Sequence, residues 1–135
     1  FEQERQSLKH FFDTINLSDV EKIFNILKAC EGMIVLSGVG KSALVAEKTA
    51  LTLTSTGTRA FFLSPSNALH GDIGIVSKKD VFIMMSKSGE SDELLQMIPT
   101  LRNKGVQIIA VVNNPHCRMM KACDHSICLP MVKEL

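Results

Sequence analysis

The chain has 135 residues, enough for one compact domain with a real core and too few for two. Its composition, 45% hydrophobic and 21% charged, is that of a globular protein rather than a disordered one. A formal net charge of +1 supplies neither a basic field for nucleic acid nor an acidic one for cations, so an anionic ligand has to be held by local groups.

No apolar run approaches the roughly 20 residues that span a bilayer, and the opening FEQERQSLKHFF lacks the pattern of a signal peptide. Four cysteines without a dense spacing pattern point to free thiols and a reducing cytoplasm. Neither nucleic acid nor a membrane is expected as a partner.

Residues 5–15 read as a helix. Leu17 to Cys30 reads as a second, with Ser18 and Glu21 spaced for a capping box and Val20, Ile23, Phe24, Ile26 and Leu27 at helical intervals. Met33 to Leu36 is a continuous apolar run before Gly38, the mark of a strand buried on both faces. Helix Lys41 to Thr54 stops at Ser55-Thr56-Gly57-Thr58 and leads to a second strand, Ala60 to Leu63. A loop containing Pro65, Asn67 and Gly71 precedes a third strand, Val81 to Met85. Helix Ser91 to Asn103, strand Val106 to Val112, a short helix near Cys117 to Ala122 and strand Ser126 to Leu129 complete the series. Apolar strands alternating with helices predict right-handed βαβ units and a parallel sheet covered on both faces. Ligands of such sheets bind beyond the carboxyl ends of the strands, which directs attention to the turns there.

After the first strand comes Ser37-Gly38-Val39-Gly40-Lys41-Ser42. A P-loop needs glycine five positions before Gly40, where Val35 stands, so the nucleoside triphosphatase reading fails. A dinucleotide fingerprint forced from Gly38, Gly40 and Ala43 lacks the acidic residue at the end of the second strand, occupied here by Leu63-Ser64-Pro65. A small phosphorylated ligand remains, with Lys41 as a point charge and Ser42 as a hydroxyl donor; the plain alternative is a connecting turn with a solvated lysine.

The strongest signal is Ser86-Lys87-Ser88-Gly89-Glu90-Ser91 behind the third strand. Hydroxyls and free helix-terminal amides make a neutral phosphate cradle, whereas N-capping alone accounts for one serine and the acidic residues that follow. Glu93, about one helical turn beyond Ser88, has the reach of a general base, or is simply a solvated helix residue. His70-Gly71-Asp72 lies at the same edge, where Asp72 orients the imidazole or caps the next turn. Glu134, after the fifth strand, falls at that edge by topology. Cys117, Cys123, His125 and Cys128 do not have the spacing of a zinc knuckle, and Cys128 sits in an apolar strand.

These segments resemble SIS (sugar isomerase) domains. Gly38-Val39-Gly40-Lys41-Ser42, Ser55-Thr56-Gly57-Thr58, His70-Gly71-Asp72, Ser86-Lys87-Ser88-Gly89-Glu90-Ser91 and Lys133-Glu134 occur in the family's order, and are similar more narrowly to bacterial arabinose 5-phosphate isomerases. The resemblance covers nearly the whole chain from about Val20. It implies a three-layer α/β/α sandwich, flavodoxin-like, with a five-stranded parallel sheet: one SIS domain over residues 1–135, its N-terminal helices at about 4–30 and its sandwich at about 32–135. It implies a phosphorylated sugar bound between subunits of a homotetramer, and interconversion of ribulose 5-phosphate and arabinose 5-phosphate for lipopolysaccharide biosynthesis. Carried over residue by residue, Gly40, Ser42, Ser86, Ser88 and Ser91 bind the phosphate, while Lys41, Glu93, Glu134 and His70 match positions of the catalytic site. No metal or organic cofactor is required. The chain departs from the family in Ala43, where glycine is usual, and it ends before the helical segment that carries a further catalytic histidine, so the resemblance implies a longer natural protein. The alternative is a non-catalytic sugar-phosphate sensor, which needs the serines but no set of titratable groups.

Overall fold

The structure is a computed structural model and describes residues 1–131. Two helices lead in. α1 (Glu2–Thr14) buries no residue, and α2 (Leu17–Lys28) turns Ile23, Ile26 and Leu27 toward the sheet. The expected capping box is not what starts α2. Asn16 is the N-cap, its side chain accepting from the amides of Ser18 (3.0 Å) and Asp19 (3.3 Å), so Ser18 already lies inside the helix. Asparagine is among the strongest N-caps, and it stands at the helix boundary two residues before Ser18.

The remaining elements are β1 (Ile34–Gly38), α3 (Lys41–Ser55), β2 (Ala60–Phe62), α4 (Pro65–Leu69), β3 (Val81–Ser86), α5 (Asp92–Asn103), β4 (Gln107–Val112), α6 (Arg118–Ala122) and β5 (His125–Cys128). All five strands are parallel, in the order β2-β1-β3-β4-β5. The expected three-layer sandwich is therefore present, in the flavodoxin-like strand order. The segment read as a loop after β2 is more regular than the sequence suggests: Ser64 caps α4 through Asn67 N–H, Pro65 occupies its first turn, and a single 3-10 turn, Asp72–Ile75, follows.

Alternate residues of each strand feed two cores. One face carries Val35, Phe82, Met84, Ile108 and Ala110 against Leu94, Met97 and Leu101 of α5 and Met119 of α6. The other carries Leu36, Ile83 and Ile109 against Ala46 and Ala50 of α3 and the apolar side of α2. Small residues on α3 bring that helix close to the sheet. Burial on both faces explains why β1 and β3 read as unbroken apolar runs.

At the amino ends of the strands two aspartates, Asp80 buried and Asp124 exposed, tie neighbours together. Asp80, only 4% exposed, accepts from Met33 N–H and Ser77 N–H, both at 2.7 Å, linking β1 to the turn before β3. Asp124 accepts from Ile108 N–H at 2.8 Å, linking β4 to the start of β5. Gly32 is required beside Asp80, since a Cβ there would fall 2.2 Å from Asp80 Oδ1. Asp80→Ala leaves two amides short of an acceptor and is expected to lower stability by about 3 kcal/mol, with Asp80→Asn costing roughly half as much. Urea unfolding followed by circular dichroism measures both; an unchanged midpoint for the alanine variant contradicts the assignment.

Candidate functional site

Between β1 and β3 the chain reverses its direction of winding: β2 is laid down on one side of β1, and β3 on the other. The turns leaving β1 and β3 diverge there and leave a crevice at the carboxyl edge. Both turns enter long helices whose first amides no side chain caps.

Gly40 is the N-cap of α3. Its φ of +59° and ψ of −130° belong to glycine, and it has no side chain with which to cap. At the other turn Ser91 is the N-cap of α5, yet its hydroxyl does not cap the helix. It bonds instead to Ser86 Oγ at 2.9 Å, and Ser86 Oγ also accepts from Gly89 N–H at 3.1 Å. Ser88 Oγ accepts from Glu90 N–H at 3.2 Å and stays exposed. The serines thus shape the turn and leave the helix amides free, so the capping role open to one of them on sequence grounds is not taken up. Gly89 is fixed twice over: φ is +66°, and a Cβ would lie 2.2 Å from the buried Cys117 Sγ.

Ser42, Ser86, Ser88 and Ser91 line one cavity of about 590 Å³, together with Asn113 and Asn114 from the turn after β4. A second cavity, about 480 Å³, lies on the other side of Val39 and is lined by Gly40, Ser64, Ser66, His70 and Glu93. Val39 touches both. The structure therefore brings His70 and Glu93 together, next to the serine cavity. No described bond joins His70 to Asp72, so Asp72 does not orient the ring. Lys41, exposed at the start of α3, lines neither cavity. Glu134 lies outside the described residues.

A larger hollow, about 880 Å³, opens at the amino ends of the strands beside Lys22, Lys78, Lys79 and Asp80. No helix start points into that end of a doubly wound sheet, so the carboxyl edge remains the candidate site.

Sequence reasoning missed Asn113 and the contacts that lace the serine turn to α6. Asn113 N–H donates to Lys87 O at 3.0 Å, its side-chain amide donates to Leu129 O at 3.0 Å, and Met119 N–H donates to Gly89 O at 3.1 Å. Arg118 ion-pairs with Glu90 and, at 2.9 Å, with Asp92. An asparagine directly behind a buried strand was the one available signal. An ion pair spanning 28 positions gives none.

Chemically, two uncapped helix ends, a ring of hydroxyls and Lys87 on the cavity wall are groups suited to an anion of phosphate size, beside a carboxylate and an imidazole of the kind that move protons. Fold and site together define a doubly wound α/β domain with a candidate anion site at its switch point. The SIS domain family model matches residues 27–135, and the chain belongs to that family. It is 38% identical over 132 residues, 98% of its length, to the arabinose 5-phosphate isomerase KpsF of Escherichia coli, of which it spans 42%. Among solved structures it is similar to an Escherichia coli CFT073 protein in complex with arabinose 5-phosphate (37% identity, TM-score 0.92) and to a putative sugar-phosphate isomerase of Listeria monocytogenes (31%, TM-score 0.92). It covers 70% of each of those two chains, and each alignment takes in 98% of its own length.

The Arg118 side chain holds the Glu90 carboxyl below its ordinary value of 4.5. A depressed folded-state value means that the Glu90 pairing is complete above the ordinary carboxylate range and is lost only as pH falls through the lower value. Side-chain carboxyl NMR is expected to place the Glu90 midpoint below 4.5 and to return it toward that value in Arg118→Ala. Identical midpoints in the two proteins rule out the pairing in solution.

Proposed function

We propose that this chain is the catalytic SIS domain of an arabinose 5-phosphate isomerase, acting by aldose–ketose isomerisation through an enediol. The observation that carries the reading is the meeting of two uncapped helix starts and four serine hydroxyls on one cavity, with Glu93 and His70 on the next. The named similarity to KpsF and the likeness to a structure holding arabinose 5-phosphate support it.

The phosphate of ribulose 5-phosphate occupies the serine cavity, held by Ser42, Ser86, Ser88 and Ser91 and by the amides that open α3 at Gly40 and α5. The sugar carbons then extend past Val39 into the neighbouring cavity. There Glu93 takes the proton from the hydroxyl-bearing carbon beside the carbonyl and returns it to the former carbonyl carbon, while His70 gives a proton to the carbonyl oxygen and takes back the one on the neighbouring hydroxyl as the aldehyde forms. Lys41, as the group to stabilise the developing charge, and Glu134 belong to the same catalytic set on the family pattern alone, since Lys41 lines neither cavity and Glu134 lies outside the described residues. Neither a metal nor an organic cofactor enters the scheme.

The natural assembly in this proposal is a homotetramer. Leu8, Phe12 and Phe24 on α1 and α2, and Leu44, Val45 and Leu51 on α3, leave large apolar side chains in solvent, and a second copy would cover them. No helix among the described residues is long and apolar enough to cross a membrane, and all four cysteines are unpaired, in keeping with a cytoplasmic role in lipopolysaccharide biosynthesis.

Incubating the full-length protein with ribulose 5-phosphate and following arabinose 5-phosphate by NMR tests the reading directly; saturable binding without conversion moves it to a sugar-phosphate sensor. Ser88→Ala is expected to weaken sugar-phosphate binding about tenfold with little change in kcat, as for one lost bond to a charged group. Glu93→Gln is expected to lower kcat by about 10²-fold or more while binding stays near wild type. Equal effects of the two substitutions on affinity contradict the division of labour.

A further inference from the structure

Three carboxylates crowd the mouth of the serine turn. Glu90 lies within it, and Asp92 and Glu93 open α5. Such residues favour the helix by facing its positive end, but they repel the dianion that the same end is to bind. Glu93 lines the neighbouring cavity. The other two are met by one side chain, Arg118, at the start of α6.

Arg118 engages them from several directions. Its backbone amide donates to Glu90 Oε1 at 2.8 Å, its Nε donates to Glu90 Oε2, and one terminal nitrogen donates both to Glu90 O at 3.2 Å and to Asp92 Oδ1 at 2.9 Å. The guanidinium fork is suited to such a set, since its donors are coplanar and fixed. Arg118 lines neither cavity and so does not touch a ligand in them. Nothing in the fold requires the pair: Arg118, Glu90 and Asp92 are all substantially exposed, and isolated surface ion pairs add little to stability. What the arrangement changes is the field at the helix start.

We propose that Arg118 is a positioning residue for phosphate recognition, cancelling the charges of Glu90 and Asp92 and holding both carboxylates toward α6 so that the serine cavity accepts a dianion. The inference rests on the phosphate reading above. It adds a residue outside the cavity that sets affinity through charge rather than contact. The downward shift of Glu90 has its largest cause in this same side chain, which agrees with a carboxylate held ionised and matched.

The test is the dissociation constant of arabinose 5-phosphate for the full-length protein, by calorimetry, at about 50 mM and about 500 mM salt. Arg118→Ala is expected to weaken binding about tenfold at the lower salt and much less at the higher, because the repulsion it exposes is screened. Arg118→Lys, which keeps the charge but not the fork, is expected to fall between wild type and Arg118→Ala. Arg118→Ala combined with Glu90→Gln and Asp92→Asn recovers most of the lost affinity, which a purely structural role of Arg118 would not produce. Unchanged affinity in Arg118→Ala overturns the inference. So does a loss that persists at high salt and in the triple variant, or a lysine variant as weak as the alanine one. Ser88→Ala serves as the reference: if it binds as tightly as wild type, the phosphate reading falls and this inference with it. If Ser88→Ala weakens binding while Arg118→Ala does not, only the inference about Arg118 falls.

Discussion

The carboxyl edge of this sheet is organised by what its helices lack. A helix start carries amides without intrahelical partners, and most helices satisfy some of them with a side chain of their own. α2 does so through Asn16 and α4 through Ser64. At the switch point neither α3 nor α5 does, the first because glycine is its N-cap and the second because the Ser91 hydroxyl is bonded to Ser86. Donors left open at two adjacent helix ends favour an anion, and the candidate site lies where those ends meet.

Strand order is what brings those ends together. β1 and β3 are neighbours in the sheet, with residues 34–38 of β1 in register with residues 81–85 of β3. Their turns therefore rise side by side from the same edge, one toward α3 and one toward α5, on opposite faces. Separating the helices onto two faces opens the crevice, and pairing the strands fixes its width. The amino edge is treated differently. There Asp80 and Asp124 consume backbone donors and tie strand to strand, so its polar groups are spent on cohesion.

Much of this was legible in the sequence because buried parallel strands have a simple signature. Four apolar runs ending in turn residues marked the central sheet, and the crowding of serines after β3 marked the site. What failed was local competition and distance. Ser18 and Glu21 have capping-box spacing, but Asn16 two residues earlier takes the amides first. α4 is five residues long, too short for a periodic pattern, and was hidden behind its proline. Ser91 has the composition of an ordinary cap, and only the 2.9 Å contact with Ser86 reveals that its hydroxyl is directed elsewhere. Asn113 and Arg118 reach the turn from later in the chain, and no spacing rule links them to it.

The same constraint explains why the turn after β3 tolerates so little freedom. To leave the α5 amides open, the Ser91 hydroxyl must be held away from them, which needs Ser86 beneath it and a tight chain reversal between the two. That reversal places Gly89 against Cys117 with no room for a Cβ and with a left-handed φ. Met119 of α6 and Asn113 of the β4 turn then hold the carbonyls of Gly89 and Lys87 respectively. A turn built by caps would be stable alone and closed to an anion. This one is kept open from two directions: by the β4 turn, whose Asn113 lines the cavity itself, and by α6, whose Met119 and Arg118 do not.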